Sequence, residues 1–244
     1  MILQTQLSTM LSTAKQYLGI TDANFIGIFL YGSQNYHLDC DNSDVDTILL
    51  IRAADKPKQE ISMLIGKVKI YTLKYFIYRL KQGDLECYEI LYTKYNILNP
   101  TYANLLESFV KEFTNCLNYE LIKCSLYKKL DEHLSHVLWM LTNKEKARYN
   151  KKRLYWAMRV CNQLERINNG ECFESSLIYD NSYDLRSIKT ITNHLSLKDF
   201  SNIYRCLTDY MVAAPRFSVQ VTEEEERCLS DFYTNLNTKG GSLS

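Results

Sequence analysis

Two aspartates at the start of one predicted strand, preceded by a Gly-Ser pair, are the residues of this chain best suited to chemistry. Gly32-Ser33 ends an apolar run, and after ten further residues Asp44 and Asp46 lie at the start of a second one. Residues two apart on a strand point to the same side of a sheet, so both carboxylates would lie together. Carboxylate oxygens suit Mg²⁺, which also binds substrate phosphates. Since Gly32 has no Cβ and Ser33 carries a hydroxyl donor, a phosphate could approach the backbone closely there.

The sequence around these residues predicts the strands and helices that would position them. Short apolar or alternating runs bounded by turn residues predict three strands, at 25–31, 45–51 and 67–71. Apolar residues at helical spacing predict helices at 5–18, 73–82, 100–113, 117–141 and 151–168. Two further stretches are typical of helix starts: Asn99-Pro100, and a capping box from Thr222 to Glu225.

Composition excludes several classes of protein. Hydrophobic residues make up 46% and charged residues 23% of the chain, which is ordinary globular composition, and a net charge of +1 excludes a strongly basic coat for nucleic acid. No apolar run approaches the roughly 18 residues of a membrane helix, and the polar first residues do not resemble a signal peptide. The eight cysteines form no CxxC pair, so we expect reduced thiols in a cytoplasmic protein.

The pattern of apolar and polar residues changes near residue 110, and this change predicts an α+β protein of two domains. Strand-like and helix-like runs alternate before that point, and nearly every later pattern is helical. We therefore expect an N-terminal domain at 1–112, with a small mixed sheet and helices, and a C-terminal helical domain at 113–236. The glycine-rich end, 237–244, is expected to be a flexible tail.

The same motifs resemble the DNA polymerase β-like nucleotidyltransferase superfamily, most closely the predicted nucleotidyltransferases of phages and bacteria. YGSQNY matches that group's Gly-Ser-x-x-Tyr motif, and SDVD matches its Ser-Asp-x-Asp motif. The segment KVKIYTLKYFIYRLKQGDLECYEIL follows the group's order of strand, helix, glycine and helix. Lys152 and Arg159, seven residues apart and followed by Gly170, resemble its Lys…Arg helix, with Trp156 where a histidine often lies.

The resemblance implies transfer of a nucleoside monophosphate from an NTP, such as ATP, to an acceptor hydroxyl. Asp44 and Asp46 would hold Mg²⁺ or Mn²⁺, and Gly32 and Ser33 would hold the β- and γ-phosphates. Lys152 and Arg159 would neutralise the charge of the triphosphate. RNA, a small molecule or a protein side chain could be the acceptor, because the superfamily uses all three.

One position departs from the superfamily, which usually adds a third carboxylate from a later strand. The alignment places Lys67 there, or with less support Lys69, and neither lysine can bind Mg²⁺. Glu86 and Glu89 on the next helix are the nearest substitutes; a solvated helix face or a partner for a lysine is favoured for Glu86, and the likeness favours Glu89 as the acid. The alternative is a degenerate enzyme that binds a nucleotide or a protein without catalysis, such as a phage factor that interferes with a host defence.

Two other groups of residues are weighed as binding sites. The basic segment 143–153 could contact triphosphate or RNA, and a solvated loop is favoured for Lys144, Lys146 and Arg148. His133 and His136 are three apart on a predicted helix, but no acid completes a metal-ligand set, so a polar helix face is favoured.

Overall fold

The structure is a computed structural model and describes residues 2–32, 34–35, 44–54, 58–142, 151–177, 197–211 and 219–241. Within these ranges the fold is α+β, with a five-stranded mixed sheet and helices that dominate the second half of the chain. The strands are β1 (Phe25–Tyr31), β2 (Val45–Ile51), β3 (Lys58–Met63), β4 (Gly66–Thr72) and β5 (Asn96–Leu98). The helices are α1 (Ile2–Leu18), α2 (Leu73–Lys81), α3 (Leu85–Leu91), α4 (Pro100–Asn115), α5 (Tyr119–Thr142), α6 (Lys151–Asn168), α7 (Phe173–Leu177), α8 (Leu197–Tyr210) and α9 (Glu223–Gly241).

The sheet has the strand order β3-β4-β2-β1-β5. β1 runs antiparallel to both β2 and β5, whereas β2 runs parallel to β4, and β3 forms an antiparallel edge. β1 is buried along its whole length, as expected for a central strand that reads as a continuous apolar run. The antiparallel return from β1 to β2 brings the end of the first strand beside the start of the second.

Apolar side chains of α1 cover one side of this sheet. Leu7, Met10 and Ala14 are fully buried at helical spacing on α1. They belong to one cluster with alternate residues of β2 and β4, namely Val45, Leu49, Ile51, Val68 and Ile70. Because strand side chains alternate, Asp46 and Lys67 project to the opposite side of the sheet.

Predicted helix starts are confirmed at two positions. The Asn99 side chain accepts a hydrogen bond from the Thr101 amide at 3.0 Å. At the start of α9, the Thr222 hydroxyl accepts from the Glu225 amide at 3.2 Å, and the Glu225 carboxylate accepts from the Thr222 amide at 2.9 Å. Within the described ranges, every helix is too short or too polar to cross a bilayer.

The described residues divide into two compact units. The sheet unit contains residues up to 35, from 44 to 118 and from 220 to 241, and the helical unit contains those from 119 to 219. Helix α9 thus belongs to the sheet unit, whereas the sequence analysis placed these residues in the C-terminal helical domain. The physical cause is a contact between distant segments: the ring of Phe232 on α9 stacks on the ring of Phe109 on α4, with 3.9 Å between the ring centres. The periodicity of a single helix does not predict such a contact.

Candidate active site

The end of β1 lies against the carboxylate of Asp46. Tyr31, the last residue of β1, is opposite Asp46 in the antiparallel register, and Gly32 follows with φ of +81°. A Cβ added to Gly32 would lie 3.7 Å from Asp46 Oδ2. Glycine is therefore suited to this position because its backbone conformation is strained for other residues, and because the space before the carboxylate stays open.

The second aspartate directly precedes β2. Asp44 is exposed and Asp46 is half-buried, so the pair lies at the solvent-facing start of a buried strand. Two carboxylates beside an open glycine fit Mg²⁺, which is commonly held by one or two carboxylates while water and phosphate oxygens complete its shell. Among the described residues, no group of three or more His, Cys, Asp and Glu side chains is arranged to hold a metal ion. Ser33, the predicted phosphate contact, lies outside the described residues.

Lysine occupies the neighbouring strand where a third carboxylate was expected. In the parallel pairing of β2 with β4, Lys67 lies directly beside Asp46, and Lys69 lies beside Ile48. The Lys67 Nζ is 3.6 Å from Glu60 Oε1, and its side chain is 51% exposed. The position closest to Asp46 on β4 therefore carries a cation that remains accessible to a bound anion.

A glycine sets the close approach of β4 to β2. Gly66 pairs with Val45 and has φ of +152°, and a Cβ there would fall on the backbone carbonyl of Val45. The preceding residue, Ile65, accepts a hydrogen bond from the Val45 amide at 2.8 Å. This contact fixes where β4 begins, and hence which β4 residue lies beside Asp46.

A second lysine on β4 holds an ion pair next to Tyr31. Lys69 Nζ is 2.6 Å from Glu86 Oε2 on α3 and 4.8 Å from the centre of the Tyr31 ring. Of the two roles favoured for Glu86 from the sequence, a solvated helix face or a partner for a lysine, the structure shows the second, with Lys69 as the partner. Burial, and then the negative charges of Glu86 and Asp46, raise the pKa of Tyr31, so its hydroxyl stays protonated at all physiological pH values.

Glu89, the other acid considered for the metal, lies one turn further along α3. Glu89 is only 7% exposed. The Glu86 side chain is more exposed, and its carboxylate pairs with Lys69. Buried carboxylates are normally paired or hydrogen-bonded. The role of Glu89 as a metal ligand stays a prediction.

The two predicted triphosphate contacts lie on helix α6 of the helical unit. Arg159 is 6% exposed, and its guanidinium carbon is 4.9 Å from the centre of the Trp156 ring. A guanidinium stacked in this way combines a cation–π contact with a fixed orientation. Lys152 lies in the first turn of the same helix, seven residues earlier. The structure places this pair in one unit and the aspartates in the other.

The sequence did not anticipate the burial of His133. The favoured polar helix face is wrong for this residue, which is 4% exposed, whereas His136 is exposed. The sequence contained a signal of this burial, because His133 lies three residues after Leu130 and four residues before Val137, next to Leu134. All three of these apolar residues are buried. Such spacing places His133 on the apolar side of α5.

Cations surround this histidine. Arg153 Nη1 donates a hydrogen bond to His133 Nδ1 at 3.4 Å. Burial, followed by the positive charges of Lys129, Arg153 and Arg159, lowers the pKa of His133 to about 3. The ring is therefore neutral at physiological pH.

Comparisons with known proteins give a weak similarity. No protein-family model matches the chain, and no curated protein matches it by sequence. Among solved structures, it is similar to a nucleotidyltransferase-like protein from Exiguobacterium sibiricum, with a TM-score of 0.32 and 12% identity over 96% of this chain and 88% of that one. A likeness of this strength carries no argument about function, so the functional conclusion depends on the chemistry of the site.

Proposed function

We propose that this protein is a Mg²⁺-dependent nucleotidyltransferase that moves a nucleoside monophosphate from an NTP to an acceptor hydroxyl. The observation that supports it is the meeting of Gly32 and Asp46. Gly32 forms a turn at the end of β1, and a Cβ added there would lie 3.7 Å from Asp46 Oδ2. Asp44, the other proposed metal ligand, is two residues before Asp46. Phosphoryl transfer needs mainly positioning and charge neutralisation, which such a site can provide.

The proposed roles follow the chemistry of each side chain. Asp44 and Asp46 hold Mg²⁺ or Mn²⁺, which would neutralise developing phosphate charge and activate the attacking hydroxyl. The backbone at Gly32 admits a phosphate oxygen, and Ser33 donates its hydroxyl to it. The proposed part of Lys152 and Arg159 is to balance the charge of the triphosphate.

The test is release of pyrophosphate from each of the four NTPs, with and without Mg²⁺ or Mn²⁺, in the presence of total RNA as a source of acceptors. We expect metal-dependent release that falls roughly 100-fold or more in the Asp44→Asn/Asp46→Asn double variant, because both metal ligands are lost. The matched control is Asp22→Asn, which removes an exposed carboxylate paired with Lys15 at 2.5 Å in the same unit. A rate that is equal in the double variant and the wild type, with both folded by circular dichroism, would reject the proposal.

The position of Lys67 favours a second candidate, a protein that binds a nucleotide without transferring it. An ammonium group beside Asp46 could neutralise phosphate directly, where a third carboxylate would complete a metal site. This candidate predicts NTP binding that is independent of metal, weakened by Lys67→Ala and accompanied by no pyrophosphate release. The transferase predicts binding that requires Mg²⁺ and is weakened most by Asp46→Asn.

A further inference from the structure

The turn that follows β1 is closed by a hydrogen bond within its own main chain. The Asn35 amide donates to the Gly32 carbonyl at 3.0 Å, and this i to i+3 spacing is typical of a β-turn. We call the segment from Gly32 to Asn35 the glycine turn. Because glycine allows many backbone conformations, a turn that begins with Gly32 at φ of +81° needs further contacts to keep one geometry.

The Asn35 side chain connects the glycine turn to a distant segment of the sheet unit. Thr93 Oγ1 donates a hydrogen bond to Asn35 Oδ1 at 2.6 Å, although the two residues are 58 positions apart. Thr93 lies between α3 and β5 and is 7% exposed, so water competes little for its hydroxyl. The turn therefore has a buried anchor outside its own sequence.

A second hydrogen bond fixes the direction of the Thr93 hydroxyl. The Tyr95 amide donates to Thr93 Oγ1 at 3.2 Å, and the hydroxyl proton is directed at Asn35. Tyr95 is itself held against β1, because its carbonyl accepts a hydrogen bond from the Leu30 amide at 3.0 Å. The Thr93 carbonyl also accepts from Asn96 Nδ2 at 3.2 Å. Thr93 is thus held by the residues that begin β5, the strand that pairs with β1.

We propose that Thr93 is a positioning residue of the candidate active site, which acts through Asn35 to hold the glycine turn beside Asp46. The inference rests on the proposed function, since it assigns to this turn the task of receiving a phosphate. A Cβ added to Gly32 would lie 3.7 Å from Asp46 Oδ2, so a small shift of the turn changes the space in which metal and phosphate meet. Phosphoryl transfer depends on such positioning, and a displacement of about 1 Å can lower a rate roughly 100-fold.

The first measurement is hydrogen exchange of the Asn35 amide in the full chain, followed by NMR. This amide closes the glycine turn whether or not the protein is an enzyme. Thr93→Val keeps most of the side-chain shape but removes the donor, so we expect exchange roughly tenfold faster than in wild type. Thr93→Ser retains the hydroxyl and should exchange at about the wild-type rate. Circular dichroism checks that each variant is folded.

The second measurement is the rate of pyrophosphate release, together with NTP binding in the presence of Mn²⁺, followed by calorimetry. We expect Thr93→Val to lower kcat roughly tenfold or more and to weaken NTP binding several-fold, and Thr93→Ser to restore both. The matched control is Thr13→Val, which removes a hydroxyl that donates to the Thr9 carbonyl at 2.9 Å in the same unit and should leave both unchanged. Thr93→Val/Asn35→Ala should be no worse than Asn35→Ala alone, since Thr93 acts through Asn35.

Three results overturn the inference. The first is an Asn35 amide that exchanges at the wild-type rate in folded Thr93→Val, and the second is faster exchange with unchanged release and NTP binding. The third is a double variant clearly worse than Asn35→Ala, because Thr93 would then act by another route. A wild type that binds NTP without releasing pyrophosphate rejects the transferase alone, and NTP binding by Thr93→Val then decides the inference. A wild type that does neither rejects both, because the glycine turn would have no phosphate to receive.

Discussion

The charged side chains on the sheet and the buried histidine of the helical unit lie in different surroundings. Lysines of β4 lie next to carboxylates: Lys67 lies beside Asp46 of β2 and 3.6 Å from Glu60 of β3, and Lys69 pairs with Glu86 of α3 at 2.6 Å. Each of the two lysines thus has a carboxylate partner without a bound ligand. Such a surface can be precise before anything binds.

In the helical unit, the neutral ring of His133 lies near three cations. His133 is buried, and it stays unprotonated because burial and the charges of Lys129, Arg153 and Arg159 disfavour a further positive charge. One of these cations is itself paired, because Lys129 Nζ is 3.3 Å from Glu132 Oε2. The comparison shows that the lysines of the sheet are matched by carboxylates, whereas the buried histidine of the helical unit is kept neutral by its surroundings.

The largest effect is expected from breaking one pair on the sheet. Lys69→Met should lower the free energy of unfolding by about 2 kcal/mol, since Glu86 would keep its charge beside Tyr31 without a partner. Urea denaturation measures the change. The Lys69→Met/Glu86→Gln double variant should recover much of it, and a double variant no more stable than the single one would show that the pair is not the cause.

Lys67→Met is the matched control for this variant. Lys67 is on the same face of β4, but its side chain is half-exposed and its distance to Glu60 is longer. We expect a loss below about 0.5 kcal/mol, as for other solvent-exposed ion pairs. Equal losses for the two lysines would mean that burial does not distinguish them.

The burial of His133 near cations predicts a pH dependence of stability. The pKa of His133 falls from 6.5 to about 3 on folding, so below pH 6.5 the unfolded chain binds a proton that the folded chain does not. The free energy of unfolding should then decrease with a slope that approaches about 1.4 kcal/mol per pH unit, which gives about 1.6 kcal/mol from pH 6.5 to pH 5. Urea denaturation across this range should show the decrease in wild type.

Two variants separate His133 from other titrating groups. His133→Gln removes the ring and should flatten the decrease between pH 6.5 and pH 5. His136→Gln changes the exposed neighbour three residues on and should retain it, since His133 is still present. A decrease of the same size in His133→Gln would assign the effect to other residues.

The smallest effect tests whether the glycine turn belongs to a binding site. Gly32→Ala and Gly19→Ala both force a side chain onto positive φ, +81° and +64°, and each should cost about 1 kcal/mol of stability. Only the first places a methyl group near Asp46, because nothing lies within 4 Å of a Cβ at Gly19. We therefore expect Mn²⁺-dependent nucleotide binding, followed by calorimetry, to weaken roughly tenfold in Gly32→Ala alone.

The central strands could be predicted from the sequence because each is a continuous apolar run. The structure confirms strands at 25–31 and 45–51 with the predicted bounds, and extends the third by one residue at each end. The sequence analysis missed β3 and β5. β3 is an edge strand whose residues are exposed or half-buried in alternation, and β5 has three residues, so neither contains a buried apolar run.

The candidate site was predictable where it depends on the spacing of residues within the motif. Gly32 lies near Asp46, and Lys67 lies beside Asp46, because of the strand order and register that the motif and the resemblance indicated. The burial of His133 and the return of α9 to the sheet unit depend on contacts between distant segments. Apolar periodicity shows that a helix has a buried side, but it does not identify the segment that covers that side.

Gly66 has a consequence for how this protein can evolve. Position 67 faces solvent and could change between lysine and an acid by substitution, with a change in the charge that the site presents. Position 66 has no such freedom, because any side chain there would collide with the main chain of the adjacent strand. Homologues that diverge in ligand preference should therefore vary at residue 67 while retaining glycine immediately before it. In an alignment of homologues, a constant glycine followed by a variable residue would show how the charge of the site has changed.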